Sequence, residues 1–229
     1  MTAFTMNINL SPSKLNLYLE CPRCFWLQEN EVAHRPSGIP PVLHTTFDGL
    51  IKDYFDKYRE QDKLPPEIDG KVEGKLLSDE DLLKKWRYWK TGLFYKDEKI
   101  NARLQGALDD CLVTDDGFYI ALDYKTKGGK FLKDDAHKWH QHQLDIYTLF
   151  LESNGYKTKG IAYLVFFNAV ELKEGVLAKF NVTPREVKTS IENGKKLFEN
   201  AVKLLQGKIP PRHSQCQYCS WGTEIADLD

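Results

Sequence analysis

A chain of 229 residues with 41% hydrophobic and 12% aromatic side chains can bury a substantial core, and its length suits one domain, 1–229, better than several. Its 32 basic and 33 acidic residues leave a net charge of -1, which excludes a protein that coats nucleic acid through bulk positive charge; any polyanion site has to be local. No apolar run reaches the length of a membrane span and no basic-then-apolar leader pattern occurs, so a cytoplasmic protein without a membrane partner is expected.

Taken in chain order, Ser11 reads as a helix N-cap with Pro12 at the first helical position, and Pro22 interrupts the next helical stretch. Apolar residues at 43, 47, 50, 51, 54, 55 and 58 give Val42 to Arg59 the period of an amphipathic helix, and 79–94 repeats it more weakly. Leu104 to Val113 and Phe118 to Thr126 are rich in strand formers and are divided by Thr114-Asp115-Asp116-Gly117, which predicts an antiparallel hairpin. A helix is expected over Ala136 to Glu152, and the apolar run IAYLVFFNAV suits a central strand covered on both faces. Thr183-Pro184-Arg185-Glu186 has the form of a capping box opening a long helix that carries Val187, Ile191, Phe198, Val202 and Leu205. The sum is an α/β fold, a small mixed sheet flanked by helices.

The chemistry concentrates in the hairpin. Side chains on a strand alternate faces, so Asp123 and Lys125 of IALDYKTKGGK project together while Tyr124 points away. Alone, that spacing equally describes a surface ion pair. In GALDDCLV, however, Asp109 is expected on one strand face with Ala107, Cys111 and Val113, an unfavourable place for a lone acid, and pairing around the turn would bring it towards Asp123. Two converging carboxylates repel, and a divalent cation with a taste for oxygen, Mg²⁺ or Mn²⁺, relieves them. His137 and His140 of HKWHQHQ offer a weaker zinc alternative to a plain solvent-facing helix. Of five cysteines, Cys111 reads as a core side chain, whereas Cys21/Cys24 and Cys216/Cys219 form two Cys-x-x-Cys pairs, a metal signature.

The order Gly106-Ala107-Leu108-Asp109, then Asp123-Tyr124-Lys125-Thr126, then Gln143 and Tyr147 one turn apart on a helix, resembles the RecB-like branch of the PD-(D/E)XK nuclease superfamily. The opening S-P-S-x-L-x-x-Y-x-x-C-P and the cysteines near both ends are also similar to that branch. The resemblance implies a restriction-endonuclease-like core in which Asp109, Asp123 and the Tyr124 carbonyl hold the metal, Lys125 addresses the attacking water or phosphate, and Gln143 and Tyr147 position the substrate or the lysine. A further ligand from the early helix would be His44 or Asp48, because the glycine that precedes the family's histidine is missing here. Lys127, Lys130 and Lys133 would form either a plain solvated loop or a basic track along the nucleic-acid backbone. In this branch the end cysteines often hold a 4Fe-4S cluster; here the distribution is two and two, which leaves cluster or Zn²⁺ open for Cys21, Cys24, Cys216 and Cys219, pinning the N-terminal helical segment to the C-terminal tail. The implied activity is a metal-dependent deoxyribonuclease, an exonuclease or end-trimming enzyme on single-stranded DNA in repair or CRISPR adaptation, with the proteins of those systems as partners. The rival is a catalytically idle nucleic-acid-binding module on the same fold.

Overall fold

The computed structural model describes residues 8–36, 38, 42–128 and 136–226. Its elements run β1 (Ile8–Leu10), α1 (Pro12–Glu20), α2 (Pro22–Glu29), α3 (Val42–Arg59), β2 (Lys75–Leu76), α4 (Glu80–Arg87), β3 (Leu93–Asp97) and β4 (Ala102–Gly106). There follow β5 (Asp110–Val113), β6 (Tyr119–Lys127), α5 (Ala136–Ser153), β7 (Thr158–Lys173), β8 (Leu177–Lys188), α6 (Ile191–Leu205) and α7 (Gln217–Ala226). The chain forms two compact units, one of Met1–Ile39, Lys96–Gln105 and Lys195–Asp229, the other of Pro40–Tyr95 and Gly106–Gly194. The strands make a three-stranded sheet, β1-β4-β3, and a five-stranded one, β2-β5-β6-β7-β8, so the expected α/β class holds.

In the first unit α1 begins as the sequence dictates. Ser11 accepts a hydrogen bond from the Lys14 amide at 3.3 Å, satisfying one of the helix's orphan donors, and Pro12 follows where no amide is needed. Cys21 then ends α1 and caps α2, with Pro22 opening the second helix as Pro12 opened the first. Parallel pairing of β1 with β4 completes what the unit contributes to the smaller sheet.

In the second unit β5 and β6 pair antiparallel around the Thr114–Gly117 turn, where Gly117 takes a φ of 80° that other residues rarely adopt. β6 runs parallel to β7 through the crossover helix α5, and β7 turns back into β8 as an antiparallel pair. Alternation along β6 sends Ile120, Leu122 and Tyr124 into a core with Ile51 and Phe55 of α3 and Val165 and Phe167 of β7. The opposite face of β6 is therefore free to carry Asp123 and Lys125.

Several expectations fail: the helix expected over 79–94 ends at Arg87, with Leu93 and Phe94 in β3, and Pro22 opens α2 rather than interrupting a helix. Thr183 to Glu186 opens no helix: it lies inside β8, paired with β7 from Ile161↔Lys188 to Lys173↔Leu177. Proline can sit there because β8 is a sheet edge, where a missing amide donor leaves no broken ladder. Val187 accordingly belongs to the strand, and the helix begins after Ser190, whose hydroxyl accepts from the Asn193 amide at 3.2 Å. Nor is Leu104 to Val113 one strand. It splits into β4 and β5, which lie in different sheets, and the break coincides with a close backbone approach: a Cβ on Gly92 would fall 2.1 Å from the Gly106 carbonyl oxygen. The expected face shared by Ala107, Asp109, Cys111 and Val113 thus does not exist, and Asp109 sits in the bend that leads into β5.

Candidate active site

That bend gives Asp109 a freedom no strand position would have. Its carbonyl oxygen accepts from Arg87 Nε at 2.8 Å, which fixes the backbone, while the carboxylate turns to the end of β6 and accepts from the Tyr124 amide at 3.2 Å through Oδ2. Asp123, fully buried, stands beside it. Gln143 Nε2 of α5 donates to Asp123 Oδ1 at 3.0 Å and to the Tyr147 hydroxyl at 2.6 Å, so the two predicted α5 residues act on the carboxylate as a connected pair. Asp123 Oδ2 accepts no hydrogen bond of ordinary geometry, although Lys125 Nζ lies 2.7 Å away. Burial pushes the Asp123 carboxyl up to about 7; the Lys125 ammonium opposes this and the neighbouring Asp109 carboxylate adds to it.

The site thus joins Asp109, Asp123, Lys125, Gln143 and Tyr147, all named from sequence. A fully buried carboxylate beside a second carboxylate is a donor set of hard oxygens that fits Mg²⁺ or Mn²⁺. The early helix contributes more than was foreseen. Lys52 of α3 bridges Asp48 Oδ2 at 2.7 Å and Asp109 Oδ1 at 3.0 Å. Burial disfavours its charge, yet the two carboxylates, Asp109 foremost, hold its pKa above the ordinary lysine value. Asp48 therefore reaches the site by way of Lys52, whereas His44, one turn earlier, is exposed. The signal for Lys52 was its position four residues after Asp48 on one helix face.

Behind the site lies an ionic cluster that the sequence reading missed. Asp110, wholly buried, accepts from Arg59 Nη2 at 2.7 and 2.6 Å, Arg87 Nη2 at 2.9 Å, the Cys111 amide at 2.8 Å and the Tyr124 hydroxyl at 2.6 Å. Asp56 closes the cluster by accepting from Arg87 Nη1 at 2.6 Å and Nη2 at 3.0 Å. Asp109 and Asp110 are adjacent in sequence but look to different partners: one completes the site, the other anchors the strand beneath it.

His140 has cationic neighbours, and burial first, then Lys125, His142 and Lys127, lower its pKa to about 4. Lys127 ends β6; Lys130 and Lys133 lie outside the described residues, as does the His137 side chain. Among the described residues the one cluster of three or more potential metal-binding side chains is Cys21, Cys24, Cys216 and Cys219, in the first unit, with sulfurs within 4.8 Å of one another. Cys111 is fully buried in β5, as a core side chain should be.

With this geometry in view, residues 48–223 match the family model of the PD-(D/E)XK nuclease superfamily. The chain belongs to that superfamily. Its members are metal-dependent nucleases, and the chain is accordingly a nuclease with a nucleic-acid substrate and a restriction-endonuclease-like fold. It is similar in structure to a protein designated SSO0001, at 16% identity over 95% of this chain and 85% of that one with a TM-score of 0.44. It is also similar to a "Putative exonuclease" from Eubacterium rectale, at 11% identity over 94% and 88% of the two chains with a TM-score of 0.49. No curated protein matches the sequence. Among the described residues no helix is long and apolar enough to cross a membrane.

Proposed function

We propose that this nuclease is a Mg²⁺- or Mn²⁺-dependent deoxyribonuclease that trims single-stranded DNA from an end, in DNA repair or CRISPR adaptation alongside the proteins of those systems. The observation that carries the metal-dependent chemistry is the pairing of a fully buried Asp123 with the Asp109 carboxylate and with the Lys125 ammonium, 2.7 Å from Asp123 Oδ2. Asp109, Asp123 and the Tyr124 carbonyl would hold the ion, with Asp48 or His44 as a further ligand. When bound, the ion supplies Lewis-acid polarisation of the phosphoryl oxygen and an acidified water.

The remaining work falls to the protein. Lys125, two residues from Asp123 on the same strand face, orients the attacking water and offsets charge gathering on the phosphate. Gln143, anchored on Tyr147, keeps the Asp123 carboxylate from rotating. Lys52, held between Asp48 and Asp109, would add a second positive charge beside the phosphate. Lys127, with Lys130 and Lys133, tracks the backbone of the strand being cut.

The test uses end-labelled linear single-stranded, linear double-stranded and circular single-stranded DNA, each with Mg²⁺, Mn²⁺ or chelator. Metal-dependent loss of linear single strands with circles spared supports the full reading. Cleavage of circles overturns the end-trimming part, cleavage in chelator overturns the metal chemistry, and binding without cleavage in every metal points to an idle binding module.

A further inference from the structure

The family resemblance leaves a 4Fe-4S cluster or Zn²⁺ open for the end cysteines, and the spacing of the four thiols bears on the choice. Each Cys-x-x-Cys pair straddles the start of a helix. Cys21 is the N-cap of α2, with Cys24 in its first turn, and Cys216 directly precedes α7, with Cys219 in its first turn. The pairs meet crosswise. Cys21 Sγ lies 3.7 Å from Cys219 Sγ and Cys24 Sγ lies 3.7 Å from Cys216 Sγ, so each first cysteine faces the other pair's second. All four sulfurs fall within 4.8 Å of one another, and the side chains are almost fully buried.

These distances discriminate between occupants. One tetrahedral ion with metal–sulfur bonds of about 2.3 Å spaces its four sulfurs about 3.8 Å apart, the edge of the tetrahedron. A cubane cluster bonds each thiolate to a different iron, pointing away from the cluster centre, so its four cysteine sulfurs stand on the order of 6 Å apart. The observed separations, 3.7 Å for two of the pairs and within 4.8 Å for all, match the spacing around one ion and fall short of the spacing around a cluster.

We infer that Cys21, Cys24, Cys216 and Cys219 form a mononuclear tetrathiolate site that takes one zinc ion in place of a 4Fe-4S cluster. The surroundings suit such a centre. The Cys24 amide donates to Cys21 Sγ at 3.4 Å, and Arg35 Nη2 donates to Cys216 Sγ at 3.4 Å. Arg35 is itself held by Glu20 at 2.7 Å and lies over the Tyr218 ring, 4.5 Å from its centroid. Four thiolates around a dication carry a net double negative charge, and a fixed guanidinium offsets half of it. Binding closes a loop between residues 24 and 216, so the ion ties the N-terminal helices to α7.

The test reads metal content, so it stands apart from any nuclease assay. Protein purified without oxygen from cells supplied with both iron and zinc is analysed for metals and acid-labile sulfide, and its zinc-edge X-ray absorption is recorded. The expected result is a colourless protein with one zinc per chain and a single zinc–sulfur shell near about 2.3 Å. Metal-free protein refolded with cobalt should show the intense visible bands of a tetrahedral cobalt thiolate, and offered iron with sulfide it should retain no labile sulfide. Four irons and four sulfides per chain in either preparation, or no bound metal at all, overturns the inference. Arg35→Met should keep the stoichiometry but release zinc to a chelator about 10-fold faster; an unchanged release rate removes Arg35 from the site.

Discussion

Replacing Asp110 tests the buried cluster beneath the active site. In Asp110→Ala the carboxylate that receives Arg59, Arg87, the Cys111 amide and the Tyr124 hydroxyl disappears. Removing one partner of a buried ion pair typically costs about 3–5 kcal/mol, because the remaining charge has lost both water and counter-ion. Here the residual contacts bear on where in that range the loss falls. Arg87 keeps both Asp56 bonds, and Arg59 keeps the Leu77 carbonyl and one Asp56 oxygen, but the Tyr124 hydroxyl is left buried without an acceptor, which adds about 1–3 kcal/mol. A loss of about 4 kcal/mol is therefore expected, a large share of the 5–15 kcal/mol typical of a whole domain. Asp110→Asn keeps one acceptor oxygen but loses the charge and turns an amide NH₂ towards the donors of the other oxygen, so a loss of about 3 kcal/mol is expected. The assay is urea unfolding followed by far-ultraviolet circular dichroism, comparing midpoints at constant slope. The double variant Arg59→Met with Asp110→Leu should recover part of the loss, since it removes the Arg59 charge that Asp110→Ala leaves behind while the Tyr124 hydroxyl stays without its acceptor. A loss below about 1 kcal/mol in Asp110→Ala, with both arginines in place, would refute the reasoning.

Lys125→Ala should cut nuclease turnover by about 10²–10⁴-fold while the chain still folds, with an unchanged far-ultraviolet circular dichroism spectrum, because its side chain is partly exposed and acts on the reaction. Asp123→Asn should lose activity as well as the thermal stabilisation that added Mg²⁺ gives the parent; stabilisation equal to the parent's would remove Asp123 from the ion. Asp48→Ala and His44→Ala, compared by metal titration, should separate the two: the true ligand raises the concentration needed for half-activity, and no change in either variant leaves α3 without one. His140 should make stability fall in acid. Its folded pKa, about 4, lies below the ordinary 6.5, so its contribution is present above about pH 6.5 and is lost progressively as the pH falls towards 4. His140→Gln should flatten the stability profile in that window, and a profile identical to the parent's would show that the imidazole is not desolvated.

What the sequence determined by itself is what depends on neighbours along the chain. Period two on a strand put Asp123 and Lys125 on one face, Ser11 and Pro12 opened α1, the Thr114–Gly117 turn joined β5 to β6, and α3 spans the residues its apolar period marks. The spacing of Gln143 and Tyr147 likewise placed both on one side of α5, where they meet through a hydrogen bond.

The tertiary structure decided what depends on approach from afar. Thr183 to Glu186 carries a sound local helix signal, yet pairing with β7 outweighs it at an edge where proline breaks no ladder. Asp109 left its predicted strand because the close approach of Gly92 to Gly106 accompanies a break between two sheets, and the resulting bend lets its carboxylate meet the β6 backbone. No local pattern distinguishes Asp110 from Asp109, or reveals that Arg59, Arg87 and Lys52 will divide between them; those pairings span 51, 23 and 57 positions of chain and exist only once α3, α4 and β5 have packed. Burial is the physical reason throughout. A carboxylate in the sequence has no desolvation energy, and only enclosure by the finished fold sets which partner it must have.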